Sequence, residues 1–413
     1  MTSLSPRHTR LAILALALGG FSIGATEFIA MGLLPEIARD LLPDLYATDS
    51  AAAIAKAGWL ITAYAVGVVV GAPTIAAAAA RFPRRTLLIA LTIGFTLGSV
   101  ASAVAPTFGL VVAARFAAGL GHGAFFGVAA LVAARLMGPE KRGQAVASVL
   151  VGLTIASVVG VPSITFLGQH AGWRWAYVVV AVLFALTTLA IAAFIPRTEG
   201  DPHATIRREL RAFRRPAVWL ALLTGSIGFG GFFAVYSYVA PLSTEVAGTS
   251  TGFVPIVLMV LGLGTTVGIL GGGRLADRGA VRAIFLLFGA LAVSLTVLGL
   301  SAHSVPGLLV GVFLVGGSAQ ALAPALQTRL MDVAGESQTL AAAVNHSALN
   351  IGNSLGAALG GAVIAAGLGY LAPTWLGLGL CVPGVLFALG GWAVTRHKQQ
   401  VTSPVAAATE GAR

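Results

Sequence analysis

The stretch FSIGATEFIAMGLLPEIA, residues 21–38, is apolar and glycine-rich, yet Glu27 stands in its middle. An ionisable group inside hydrocarbon costs about 2.5–3.5 kcal/mol on insertion scales, so a chain that keeps one uses it for a pathway, a partner or a ligand. Arg115 is the only basic residue placed as deep, in the apolar run that starts at residue 108. Behind it Gly119, His122 and Phe126 follow at helical spacing and share its face. A second polar stripe, His346, Asn350 and Asn353 followed by Ala357, repeats this geometry late in the chain. These residue types offer a carboxylate that can take and release a proton beside a fixed cation, and amides and imidazoles that can hydrogen-bond a solute.

Depth brings the two charges together. Glu27 lies seven residues before Leu34, the last residue of its apolar run, which is roughly 10 Å at about 1.5 Å per residue. Arg115 lies seven residues into a helix running the opposite way, so the two are expected at one level, as an ion pair or a shared water network. Two readings stay open, a static salt bridge between helices and a carboxylate that responds to protons or solute. Burial disfavours the ionised carboxylate and a guanidinium favours it, so anything that separates the pair alters proton occupancy without a metal or cofactor.

Further candidates are weaker. His122 is expected about 21 Å from the outer end, as a core histidine or a cavity residue. Gln320 is expected at a similar depth. The stripe at His346, Asn350 and Asn353 serves either helix packing or a cavity wall. Tyr64, Phe232, Tyr236 and Tyr238 either line such a cavity or pack as ordinary aromatics. Gly152, Gly160 and Pro162 would let their helix bend and pack closely.

Composition fixes the elements that must position these groups. Hydrophobic residues make up 57% of 413 positions, 9% are charged, and mean hydropathy is +0.92; a soluble chain carries about 25% charged residues. The net charge of +11 does not point to nucleic acid, because the basic residues fall between apolar runs. The N-terminus looks like a signal peptide, but its apolar run continues to Leu34, beyond an h-region of about 7–15 residues, and it is expected to remain as a first span. Cys381, the sole cysteine, excludes an intrachain disulfide.

An all-α polytopic membrane protein is expected. Twelve apolar runs reach the roughly 20 residues a spanning helix needs, at 11–34, 58–80, 86–105, 108–134, 144–167, 175–195, 217–241, 252–274, 282–301, 307–328, 340–368 and 373–395. Residues 1–195 form an N-terminal six-helix bundle, 196–216 a charged cytoplasmic linker, 217–396 a C-terminal bundle, and 397–413 a disordered cytoplasmic tail. Placing both termini inside puts 21 of the 25 basic residues on the cytoplasmic side. The halves look like a parallel repeat: at a 197-residue offset Gly71 meets Gly268 and Arg81 meets Arg278.

Several motifs carry a resemblance. GRLADRG at 273–279, RFAAGLGHGAFFG at 115–127 and GLTIASVVGVP at 152–162 together resemble the twelve-span drug:proton antiporter branch of the major facilitator superfamily. Within it, ATEFIAMGLLPEIA, HGAFFG, GWRWAY and NIGNSLGA are most similar to the arabinose-polymer and sugar-efflux permeases, with chloramphenicol exporters as near relatives. The resemblance implies two pseudo-symmetric six-helix bundles, a gate latch at Asp277 and Arg278 with Arg81 and Arg85 at the equivalent loop, and helix packing at Gly119, Gly152, Gly160 and Pro162. For Asp277 the start of span eleven near Thr339 is a favourable partner, since helix N-termini attract carboxylates. Two departures stand out: Ala80 replaces the first loop's aspartate, and Val161 precedes Pro162 where glycine is usual.

The expected function is a secondary active transporter, a monomer in the bacterial inner membrane, exporting a small organic solute in exchange for protons, with Glu27 and Arg115 as the coupling pair. Uptake or uniport on the same fold is the alternative. An integral membrane enzyme such as an acyltransferase or protease has little support, with no HExxH and no His-Cys cluster, and no GxxxxGK[ST] loop is present to suggest ATP drive. No metal or cofactor is expected.

Overall fold

The structure is a computed structural model that describes residues 5–79, 82–138, 142–197, 215–334 and 338–402. Twelve helices among the described residues are long and apolar enough to cross a membrane. In chain order they are α1 Pro6–Leu41, α2 Ser50–Ala72, α3 Arg84–Val104, α4 Phe108–Met137, α5 Ala147–Ala171, α6 Trp173–Phe194, α7 Pro216–Ser237, α8 Thr251–Asp277, α9 Ala280–Ser301, α10 Val305–Ala334, α11 Val344–Leu368 and α12 Ala372–Arg396. An even number of spans puts both chain ends on one face, here called the terminal face; the opposite one is the far face. Arg81, most of the 196–216 linker and all but the first residues of the tail lie outside the described residues.

The largest boundary difference is at α2, which begins at Ser50 rather than 58. SAAAIAKA is rich in good helix formers, and Asp49 caps it by accepting from the Ala52 amide at 2.9 Å. Lys56 inside it reads as a loop charge when only hydropathy is weighed.

Two kinds of close approach build the bundles and repeat between them. A Cβ at Gly119 in α4 would lie 2.2 Å from the Tyr64 carbonyl oxygen of α2, and one at Gly316 in α10 would lie 2.8 Å from the Leu261 carbonyl oxygen of α8. Gly71 against Leu120 and Gly268 against Gly317 repeat the same contact one turn or more along. All four pairs obey the 197-residue offset. Likewise Gly152 of α5 abuts the Ala17 carbonyl of α1, and Gly352 of α11 abuts the Ser226 carbonyl of α7. Small residues at such points let membrane helices pack backbone to backbone, where no hydrophobic force between helices is available.

The N-terminal bundle has its own apolar core, running from Ala12 and Leu16 through Phe125 and Phe126 to Phe184 and Ile195. A small separate core, Val218, Leu222, Leu330, Val333, Ala334 and Ala348, fills the terminal-face end of the C-terminal bundle. The largest core crosses the seam: Phe28, Met31, Leu34, Ile54, Ile61 and Val161 pack with residues of α7, α8 and α11. Every N-terminal contributor to it lies in the far half of its helix. The bundles therefore share one interior toward the far face and keep separate interiors toward the terminal face.

Within α5, residues Ala156–Gly160 form a π turn just before Pro162. Proline has no N–H and its ring crowds the preceding turn, and a π turn is a common way for a helix to absorb that defect. Ser157 in this turn faces Gly262 of α8 across the seam, where a Cβ would lie 2.4 Å from the Ser157 carbonyl oxygen.

Candidate functional site

Glu27, on α1, is 5% exposed and accepts a hydrogen bond from Asn353 Nδ2 of α11 at 3.4 Å. The carboxylate of one bundle is thus held by an amide of the other. Arg115 on α4 is 1% exposed. One Nη donates to Thr26 Oγ1 at 3.1 Å, and the guanidinium lies over the Tyr64 ring at 4.3 Å and near the Tyr177 ring at 5.7 Å. A cation over an aromatic face in a desolvated site gains about 2 kcal/mol.

The common level anticipated for Glu27 and Arg115 is observed, but they do not meet as a salt bridge. Among the described residues the ion pair found is Asp40 with Arg174. Arg115 reaches Thr26, the residue beside Glu27, instead. The physical reason is azimuth: Thr26 and Glu27 project about 100° apart on α1, and Arg115 approaches from the Thr26 side. Its Nε and other Nη, together with Asn350 Oδ1, Asn353 Oδ1 and the hydroxyls of Tyr177 and Tyr236, are buried without a hydrogen-bond partner. A buried polar atom left unpaired costs about 1–3 kcal/mol, so a cluster of them marks a surface built to meet polar groups.

Toward the terminal face a second layer follows. The Tyr64 hydroxyl and His122 Nδ1 are 3.1 Å apart. His122 lies against Phe126 at 5.3 Å between ring centroids, and Phe126 stacks on His346 of α11 at 5.5 Å and 4°. Rings from α2, α4 and α11 thus bridge the bundles below the charged layer. On the far side Phe28 stacks on Tyr236 of α7 at 5.1 Å, with Phe232 at 5.4 Å from Tyr236.

Most of the anticipated residues therefore converge: Glu27, Arg115, Tyr64, His122, Phe126, Phe232, Tyr236, His346 and Asn353. Asn350 joins less directly, its Nδ2 donating to the His346 carbonyl at 3.0 Å. Gln320 is half-buried on α10 and enters none of these contacts. Tyr238, read as either a wall or a packing residue, donates to the Ala357 carbonyl at 2.7 Å and ties α11 to the end of α7. Three residues were missed. Thr26 and Tyr177 hold the guanidinium, and Phe28 stacks on Tyr236; Tyr177 ends the GWRWAY motif, which was the available signal.

The gate residues lie apart from this cluster. Span eight runs beside α5, and the helix that lies beside α2 across the seam is α11; across the seam span eight thus packs on span five rather than span eleven. Asp277 and Arg278 are exposed and, among the described residues, their side chains make no hydrogen bond or ion pair. Arg85 donates to the Ala192 carbonyl of its own bundle. Gly119, Gly152, Gly160 and Pro162 all sit at close helix contacts or bends, Gly160 against the Phe21 ring.

Among the described residues no three His, Cys, Asp or Glu side chains are grouped to hold a metal ion. The Major Facilitator Superfamily model matches residues 16–300 and 256–411. Inner membrane transport protein YdhP of Escherichia coli (strain K12) is 40% identical over 361 residues, covering 87% of this chain and 90% of its own. A chloramphenicol resistance protein of Streptomyces lividans is 32% identical over 369 residues, covering 88% and 92%. Putative transporter AraJ of Escherichia coli is 31% identical over 363 residues, covering 87% and 89%. The crystal structure of a D-xylose-proton symporter superposes with a TM-score of 0.74 at 17% identity, over 92% of this chain and 97% of that one. Twelve spans in two repeated bundles, a polar cluster on the seam between them and these full-length relatives lead to one conclusion: the chain belongs to the major facilitator superfamily and is a multi-pass membrane transporter, not an enzyme.

Proposed function

We propose that this transporter exports a small organic solute in exchange for protons, with both termini in the cytoplasm and Glu27 as the site that carries the proton. The observation that supports this most is the bond from Asn353 to Glu27, because it joins the two bundles. Rocking of the bundles about a midplane site breaks or remakes that bond and changes the separation of Glu27 from Arg115. In one arrangement the carboxylate keeps an amide donor and a nearby cation; in the other it loses the amide and favours a proton. Solute that engages Asn353, Tyr236 or the free N–H groups of Arg115 competes for the same partners.

Energetically this suffices. One charge crossing a 100 mV potential supplies about 2.3 kcal/mol, which at about 1.4 kcal/mol per tenfold sustains roughly a 50-fold gradient of a neutral solute. The similarity to a chloramphenicol resistance protein supports export of a phenicol-like or sugar-like compound. Asp277 and Arg278 serve as a latch at the cytoplasmic face against the start of span five, released in the arrangement described, in which the bundles part at that face.

The test is transport into everted membrane vesicles. Acidifying the lumen drives solute inward in wild type, and the Glu27→Gln variant, assembled to normal levels, does not respond to the gradient. Normal pH-driven transport by Glu27→Gln refutes the assignment, and solute moving outward under the same gradient favours uptake.

A further inference from the structure

Between α2 and α11, near the far face, lies a groove of about 230 Å³ whose role the central site does not explain. Its lining comes from both bundles, with Lys56, Trp59 and Thr62 on one side and Ala358, Gly361 and Ala362 on the other. The floor is backbone: Gly361 lies against the Ala55 carbonyl and the Tyr238 hydroxyl. Trp59 is 55% exposed, and Leu359 beside the groove is exposed too, so the opening faces hydrocarbon rather than the central polar cluster.

Three features specify the occupant. Small side chains leave a slot of the width an alkyl chain fills. Lys56 stands exposed at the far-face end, and among the described residues it makes no ion pair; its ammonium lies 6.0 Å from the centre of the Phe108 ring. Thr62, 6% exposed and lining the groove, has a buried Oγ1 with no hydrogen-bond partner. Thr92 and Thr187 in other spans donate to the carbonyl four residues back; the Thr62 hydroxyl makes no such bond. Lys56 and Thr62 are six residues apart, roughly 9 Å along a helix. That order matches a lipid, with phosphate at the surface, ester carbonyl beneath it and acyl chain along the slot.

We propose that this groove is a binding site for an anionic phospholipid of the far-face leaflet, whose phosphate pairs with Lys56 and whose ester oxygen accepts from Thr62. The lining is contributed by α2 and α11 together, so the lipid is a ligand of the arrangement in which the bundles are closed at that face. It is separate from the transported solute and does not depend on the direction of transport.

The experiment is native mass spectrometry of the full chain taken from vesicles of equal parts phosphatidylcholine and phosphatidylglycerol. Wild type is expected to retain phosphatidylglycerol in preference to phosphatidylcholine. Lys56→Gln is expected to weaken that retention about fivefold, the ~1 kcal/mol that a basic residue gains near an anionic surface. Thr62→Val weakens retention of both lipids, and Ala358→Leu, which fills the slot, removes them. Arg39→Gln, a charge on the same face but outside the groove, leaves retention unchanged. Equal retention of the two lipids by wild type, equal loss from Lys56→Gln and Arg39→Gln, or wild-type retention by Ala358→Leu overturns the proposal.

Discussion

The α2/α4 pair and its counterpart α8/α10 are the same structure with different chemistry. Gly119 rests on the Tyr64 carbonyl as Gly316 rests on that of Leu261, and Gly71 and Gly268 repeat the correspondence. Carried by the same step, Arg115 falls on Val312 and His122 on Ala319. The α1/α5 and α7/α11 pairs diverge in the same way: the step that carries Ala17 onto Ser226 carries Glu27 onto Tyr236. Close backbone contacts constrain both halves alike, because any side chain there collides. The seam-facing positions are free of that constraint, and only the N-terminal half places charge on them. The C-terminal half supplies amides and an imidazole from α11 instead. Under the proposed exchange for protons such asymmetry is favourable, since two equivalent carboxylates would repel each other across the seam.

The sharpest way to break this comparison is to neutralise the charged member of one matched pair. Glu27→Gln is expected to reduce proton-driven accumulation from roughly 50-fold to none, while Tyr236→Phe at the matched position keeps its response to the gradient; transport in vesicles at several lumen pH values measures both. Next in size is Arg115→Lys. An ammonium cannot span Thr26 and both tyrosine rings as a planar guanidinium does, and transport is expected to fall about tenfold, the ~1.4 kcal/mol of one lost contact, with fold and expression retained. Conversely, Gly119→Val and Gly316→Val should behave alike. Each overpacks a backbone contact at a cost of about 1–3 kcal/mol, and thermal unfolding of the purified protein in detergent should show matching losses. Unequal losses would mean that the scaffold is less repeated than the contacts indicate. The smallest effect is expected at Asp40, which accepts from Trp173 Nε1 at 3.0 Å and pairs with Arg174 in an exposed setting. Asp40→Asn should lower stability by no more than about 1 kcal/mol and leave transport unchanged.

Much of this was legible in the order of residues. Hydropathy marks twelve spans, and counting along helices puts Glu27 and Arg115 at one depth. Spacing alone does not give azimuth, however, which is why the choice between an ion pair and a shared network stayed open until Thr26 and Asn353 were seen to intervene. Nor does it say which helices face each other across the seam, and Asp277 was placed with span eleven because that helix's N-terminus lies on the same face. The holders of Arg115 were hidden for a related reason. Thr26 and Tyr177 are ordinary residues in their own helices, and their role appears only when α1, α4 and α6 are brought together.

The π turn at Ala156–Gly160 has a mechanical consequence. Where α5 crosses α8 the bundles touch through the Ser157 carbonyl and the bare Cα of Gly262. A fulcrum made of main chain has no rotamers to reset, so the halves can pivot there many times without repacking anything. The same economy makes it brittle: a single methyl at position 262 would wedge the bearing, and no neighbouring side chain could step aside to free it.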